Sequence, residues 1–289
     1  MDNKKVKTLR LLMPQWQGGN NGLSYPLGAR LLAWLAPESE APLVEVPVEP
    51  FEGDMLVLEE GVIGKTALIK QLRAARHIIE AYEPDRLIVF GGDCLVSQAP
   101  FAYLNERHGG NLGVLWIDAH PDVTTPNDFQ HEHAMVLGNL LGEGDPSFAK
   151  EVKVPLKPHN VIYAGVDDTL PWETEVINRL RLACVRSEEI KPGSRPVVEW
   201  IRQNSIKKLA IHLDLDVLNP ALFRSLLFNN PDVEVQFEAF SGKMSFPQVT
   251  GLINDVAEHS DIVGLTIAEH MPWDAMNLKK MMEQFTFMK

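Results

Sequence analysis

Short runs rich in leucine and β-branched residues alternate with longer amphipathic stretches along the whole chain, and this alternation restricts the fold more than any single residue does. The apolar runs fall at 9–13, 43–46, 87–90, 112–118, 161–164, 183–185, 209–216 and 262–267. Runs this short, separated by helix-length segments, read as buried strands. Between them, 66–82 sets Leu68, Leu72, Ala75, Ile78 and Ile79 on one face and stops before Pro84. The segment 246–258 repeats that spacing with Val249, Leu252, Ile253 and Val256. Parallel strands need helical crossovers, so the pattern predicts an α/β sandwich around a mostly parallel sheet. The Gly- and Pro-containing stretches 142–146 and 191–196 are only loop-sized, and 1–289 therefore reads as one domain.

In open α/β sheets, ligands gather beyond the carboxyl ends of the strands. Polar residues that follow apolar runs therefore carry the functional reading. Three runs lead into such groups: Gly91-Gly92-Asp93-Cys94, Asp118-Ala119-His120-Pro121-Asp122 and His212-Leu213-Asp214-Leu215-Asp216. An extended backbone turns alternate side chains to one side. Asp118, His120 and Asp122 would then converge on one point, and Asp214 and Asp216 would do the same on another strand. Converging carboxylates repel each other unless a cation lies among them. Oxygen donors with an imidazole favour Mn2+ or Mg2+. Carboxylates that bridge suggest two ions, about 3.5–4 Å apart, presenting hydroxide to an electrophilic carbon. His212 alternates onto the side of Asp214 and reads as a hydrogen-bonded core histidine, while Cys184 reads as an inert core thiol.

Charge narrows the partners. With 27 basic and 39 acidic side chains the net charge is −12, which disfavours nucleic acid and anionic membranes and favours a cationic small molecule. No stretch approaches the about 18 consecutive apolar residues of a membrane helix, and the charged amino terminus lacks a secretory apolar core. Two cysteines cannot build a disulfide framework in 289 residues. The expectation is a cytoplasmic protein.

These segments resemble the signatures of the ureohydrolases (arginase, agmatinase, formimidoylglutamase and their relatives), which read G-G-D-H-S, D-A-H-x-D and S-x-D-x-D-x-x-D-P. The resemblance covers roughly 87–272 and implies a three-layer α/β/α fold with an eight-stranded, mostly parallel sheet. It also implies two Mn2+ ions, hydrolysis of a linear guanidine or amidine C–N bond, and a homo-oligomer, trimeric or hexameric. By the same resemblance Asp118 and Asp214 would bridge the metals, Asp122 would complete the first shell, and His120 and Asp216 the second. His133, in His133-Ala134-Met135, would carry a proton to the leaving amine, with His131 a competing candidate. Glu269, at the end of the last apolar run, would pair with the substrate guanidinium, and Thr124 and Asp168 would contact substrate.

Four departures bear on the chemistry. Cys94 stands where the family has a metal-binding His, and a thiolate suits zinc or iron better than Mn2+. It is either a ligand that changes metal preference, or a thiol beside a weak or empty first site. Leu170 replaces the acidic residue that in arginases recognises the α-ammonium of the substrate, and Asn219 replaces the last Asp of D-x-x-D-P. The loop between Asp122 and His133 is shorter than in arginases. Free arginine held in the usual way is therefore disfavoured, while agmatine-like amines, hydroxylated guanidines and guanidino acids stay open. Two other readings compete: a non-catalytic relative with a structural or regulatory role, and hydrolysis of a different C–N bond such as an amide.

Overall fold

A computed structural model describes residues 6–53, 55–191, 195–231 and 240–285. The strands, in chain order, are β1 (Thr8–Met13), β2 (Leu43–Glu45), the antiparallel pair β3 (Leu58–Glu59) and β4 (Val62–Ile63), β5 (Arg86–Gly91), β6 (Gly113–Ile117), β7 (Val161–Ala164), β8 (Ala183–Val185), β9 (Lys208–Asp214) and β10 (Asp261–Ala268). Apart from the β3–β4 pair they form one eight-stranded sheet in the order β2-β1-β5-β10-β9-β6-β7-β8, and every pairing in it is parallel. The expected α/β sandwich with a mostly parallel sheet is the observed architecture.

Alternation along the strands explains the layers. Val114 and Trp116 of β6 join the apolar cluster of α2 (Lys65–Tyr82) and α3 (Gln98–Arg107). Leu115 and Ile117 instead join the cluster of α7 (Arg195–Gln203) and α8 (Phe246–Ala257). A strand buried on both faces needs apolar residues at every position, which is why these runs show no polar alternation. Burying each Leu, Ile or Val fully is worth about 1.5–3 kcal/mol. Helix α2 follows its predicted face: Leu68, Leu72, Ala75 and Ile79 are buried, and the chain leaves it through Glu83, at φ 48°, into Pro84. In α8, Gln248 reaches back to accept the Ser245 N–H at 2.9 Å, which satisfies a donor at the helix start.

Three expectations need adjustment. The run 112–118 is strand only over Gly113–Ile117, and 209–216 only over Lys208–Asp214. Cys184 is exposed on the edge strand β8 and is not a core thiol. Of the loop expected at 191–196, residues 192–194 lie outside the described residues, and Arg195 and Pro196 begin α7 and do not lie in a loop.

Topology positions the chemistry. The chain enters the sheet at β1, winds outwards to β2, and later fills the centre with β9 and β10 between β5 and β6. Register keeps the carboxyl ends of these four central strands level, since Ile267 lies opposite Phe90, Ala268 opposite Asp214, and Ile117 opposite Leu213. The loops after β5, β6, β9 and β10 therefore open side by side, at the crevice where α/β sheets bind ligands.

Candidate metal centre and active site

The loop after β5 is held by contacts that only glycine permits. A Cβ on Gly92 would lie 1.7 Å from the Gln15 carbonyl oxygen, whereas the existing backbone donates from Gly92 N–H to Met13 O at 3.0 Å. Asp93 is buried and accepts from Leu95 N–H at 3.1 Å and Gly18 N–H at 2.9 Å, fixing the turn that presents Cys94. Burial nonetheless pushes the Asp93 carboxyl up to about 7. The Cys94 thiol points to Asp214, with Sγ 2.8 Å from Oδ2, and lies 3.7 Å from Glu269 Oε1.

Convergence of the acidic groups is a loop property, not the strand alternation expected from their spacing. Beyond Ile117 the backbone bends at Asp118, and Asp122 adopts left-handed geometry at φ 51°. After β9 the chain enters a 3-10 turn over Leu215–Val217, and Asp214 Oδ1 accepts the Asp216 N–H at 2.7 Å. Glu269 is also left-handed, at φ 64°, and its N–H donates to Gly92 O at 2.7 Å. Such conformations cost a non-glycine residue roughly 1–3 kcal/mol each, and they cluster where function over-determines the backbone.

The side chains nevertheless meet. Asp118 Oδ1 accepts the His120 N–H at 2.7 Å, and Trp116 Nε1 donates to Oδ2 at 3.0 Å. His120 Nδ1 lies 2.9 Å from Asp216 Oδ2. One group of ligand atoms comes from Asp118, His120 and Asp216, a second from Cys94, Asp214 and Glu269, and a third from Cys94, Asp118, Asp122 and His212. Within each group the atoms lie within 4.8 Å of one another.

Electrostatics without a cation are unfavourable. Burial, then repulsion among the carboxylates, holds the Asp122 and Asp214 carboxyls well above the ordinary range. Burial lifts Glu269 in the same way, against the pull of a hydrogen bond from Tyr25. Burial would also raise Asp118, but the adjacent His120 and His212 side chains, each 3.6 Å away, outweigh it and keep this carboxyl low. The Cys94 thiol is raised by burial and by the Asp214 and Asp122 charges. His120 Nε2, His212 Nε2 and Asp122 Oδ2 are buried without a hydrogen-bond partner. Orphaned donor atoms aimed into an acidic cluster are what a divalent ion satisfies, so these residues fit a metal.

The remaining candidates separate. His133 Nδ1 lies 3.9 Å from Glu269 Oε1, at the mouth of the cluster, and burial followed by the nearby His131 and His120 pushes it down to about 3. His131 instead packs its ring 5.1 Å from that of Phe129. Glu132, between the two histidines, is buried and accepts from Asn139 Nδ2 at 2.6 Å, anchoring this segment. Thr124 is buried, and its hydroxyl donates to Ala134 O at 2.8 Å. Asp168 is not among the clustered groups: it is exposed and pairs with Lys243 Nζ at 3.0 Å.

Tyr25 was not singled out by its sequence. It lies at the start of α1 (Ser24–Leu35), is buried, and donates its hydroxyl to Glu269 Oε2. A Cβ on Gly19 would sit 2.6 Å from that hydroxyl and 2.7 Å from His133 Nδ1, so this glycine leaves room for both side chains. The rule that polar residues after an apolar run carry chemistry, applied to β1, leads through Gln15 and Gln17 to Tyr25.

Residues 51–225 match the Arginase family. An arginase of Staphylococcus aureus is 28% identical over 140 residues, which are 46% of this chain and 46% of that protein. The match thus spans about half the length of this relative. An arginase of Eremothecium gossypii is 23% identical over 227 residues, 73% of this chain and 54% of its own. Among solved structures, an Entamoeba histolytica arginase in complex with L-ornithine superposes with a TM-score of 0.77 at 17% identity, covering 92% of each chain. A Bacillus subtilis formimidoylglutamase superposes with a TM-score of 0.68 at 14% identity, covering 94% of this chain and 82% of its own. These superpositions concern the fold.

Proposed function

This chain belongs to the arginase family, and on that premise we propose that it is a metal-dependent hydrolase cleaving a C–N bond of a linear guanidine or amidine. The observation that carries the reading is the buried acidic cluster with its orphaned ligand atoms, at the mouths of four adjacent strands. Asp118, His120, Asp214 and Asp216 would hold one ion, and Cys94, Asp118 and Asp122 would contribute donors to another. Divalent ions held there lower the pKa of water towards neutrality.

The other groups act on the substrate. Glu269 is the carboxylate available to orient a planar cation, and a guanidinium answers a carboxylate with two parallel N–H donors. Bidentate pairing fixes the plane of the substrate, so that its electrophilic carbon faces the cluster. His133, 3.9 Å from Glu269 Oε1, is the imidazole placed to carry a proton to the departing amine. This position favours His133 over His131 for that role. The Thr124 hydroxyl donates to Ala134 O and the Asp168 carboxylate pairs with Lys243 within the chain.

A non-catalytic relative is favoured by one observation, the Tyr25 hydroxyl on Glu269 Oε2, because a bidentate guanidinium needs both carboxylate oxygens. The two readings part in one experiment. Metal-reconstituted protein is incubated with agmatine, arginine, hydroxylated guanidines and guanidino acids, and urea and amine release are measured. Release from at least one compound, lost in Glu269→Ala with metal content intact, is expected. No product with Mn2+, Zn2+ or Fe2+ would leave the non-catalytic reading standing.

A further inference from the structure

The family ligand set leaves the buried imidazole of His212 unused. His212 lies in β9, two residues before Asp214, and is wholly buried. Its Nδ1 is 2.7 Å from Ser97 Oγ and 3.1 Å from Thr266 Oγ1, and these hydroxyls are 2.7 Å from each other. Its ring stacks on Trp116, centroids 3.8 Å apart at 17°. Two hydroxyls and an indole thus clamp the ring in one orientation. Nε2, on the far edge, has no hydrogen-bond partner and stands 3.6 Å from Asp118 Oδ2. The ligand atoms of His212, Cys94, Asp118 and Asp122 all lie within 4.8 Å of one another, and Asp122 Oδ2 is a second buried orphan.

We propose that Cys94, Asp118, Asp122 and His212 form a metal site in which His212 supplies the imidazole absent at position 94, and that this set selects zinc or ferrous iron over manganese. An Nδ1–H donated to one of these hydroxyls leaves a lone pair on Nε2, the arrangement in which outer hydrogen bonds hold metal-bound histidines. That lone pair faces carboxylates, a repulsion that a cation converts into coordination. On binding, the Cys94 proton leaves to solvent and the thiolate becomes a ligand, so metal uptake releases a proton. One sulfur, one nitrogen and two oxygens match a four-coordinate zinc ion, whereas manganese prefers an all-oxygen or imidazole–oxygen shell. The proposal rests on the reading of this cluster as a metal centre and names its donors.

The test reads the metal itself. Zinc-edge X-ray absorption of the wild-type protein, loaded with one equivalent of zinc, is expected to show a sulfur shell at about 2.3 Å. Cobalt loading is expected to give a near-ultraviolet thiolate-to-metal band, which Cys94→Ser abolishes. His212→Ser, which restores the family residue, is expected to weaken zinc at least about tenfold by equilibrium dialysis. The pair Cys94→His with His212→Ser is expected to shift preference back to manganese. Zinc bound without a sulfur shell, or with affinity unchanged in His212→Ser, would overturn the assignment and leave the hydrolase reading intact. Failure of the wild type to bind any divalent ion would sink both.

Discussion

Glu269 offers its carboxylate to a substrate only if Tyr25 lets go, at a cost set by their one hydrogen bond. Oε2 accepts the Tyr25 hydroxyl, while Oε1 faces Cys94 Sγ at 3.7 Å and His133 Nδ1 at 3.9 Å. Burial, and then the Glu269 charge, hold the Tyr25 phenol well above its ordinary range, so it stays a neutral donor. A hydrogen bond to a charged group is worth about 1.5–3 kcal/mol. In Tyr25→Phe that amount is lost from the free protein, whose Oε2 becomes a buried orphan. It is not lost from the guanidinium complex, where substrate N–H groups take both oxygens. Binding should therefore tighten by the same 1.5–3 kcal/mol, roughly 10- to 150-fold in Kd. The metal-loaded protein would be titrated calorimetrically with a non-hydrolysable guanidine, and urea denaturation would follow the free protein. Affinity that is unchanged or weaker in Tyr25→Phe refutes the reasoning. The hydroxyl would then hold Glu269 in place beside the bound cation and would not compete with it.

Other expectations follow from single contacts. Chelation should lower the melting temperature, since an ion at 100 times its Kd stabilises the folded state by about 2.7 kcal/mol; identical melting curves with and without chelator would contradict a bound ion. Burial holds the Glu132 carboxyl well above its ordinary range, so the folded chain keeps a proton that the unfolded chain has released. Its contribution is present at acidic pH and lost as pH rises through that raised value. Glu132→Gln should thus gain stability over wild type at pH 8 and lose that gain towards pH 4, a trend that urea midpoints can check. Lys65 pairs with Asp145 at 3.0 Å, with side-chain exposures of 8% and 1%. Lys65→Met removes the cation from that carboxylate and leaves it only the Ser147 and Phe148 N–H donors, so denaturation should show a loss towards the lower end of about 3–5 kcal/mol. Gly92→Ala forces the Gln15 carbonyl away and should reduce metal content together with stability; a variant with full metal content would mean that the loop tolerates the shift.

The sheet was legible because its signal is local. Central strands such as β6 and β7 are buried on both faces, so their residues are apolar throughout and the run is visible without knowing its neighbours. The order of the strands was not written locally. That β9 and β10 lie between β5 and β6 follows from pairings such as Ile267 with Phe90, between segments far apart in the chain. The short pair β3–β4 escaped because two residues per strand carry no periodicity.

The site divides along the same line. Asp118, His120, Asp122, Asp214, Asp216 and Glu269 were legible because each follows an apolar run, and strand ends converge whatever the loops do. The predicted reason for their convergence was wrong for the residues after β6 and β9, because spacing of two implies alternation only while the backbone stays extended, and Asp122 at φ 51° lies beyond the strand. His212 shows the limit more sharply. Its reading as a hydrogen-bonded core histidine holds for Nδ1, but what Nε2 can do depends on Ser97, Thr266 and Trp116, which come from the turn after β5, from β10 and from β6. The first of these lies 115 residues away along the chain. No spacing rule reaches that far, so a donor set assembled across the sheet has to be recognised from an unpaired nitrogen in three dimensions.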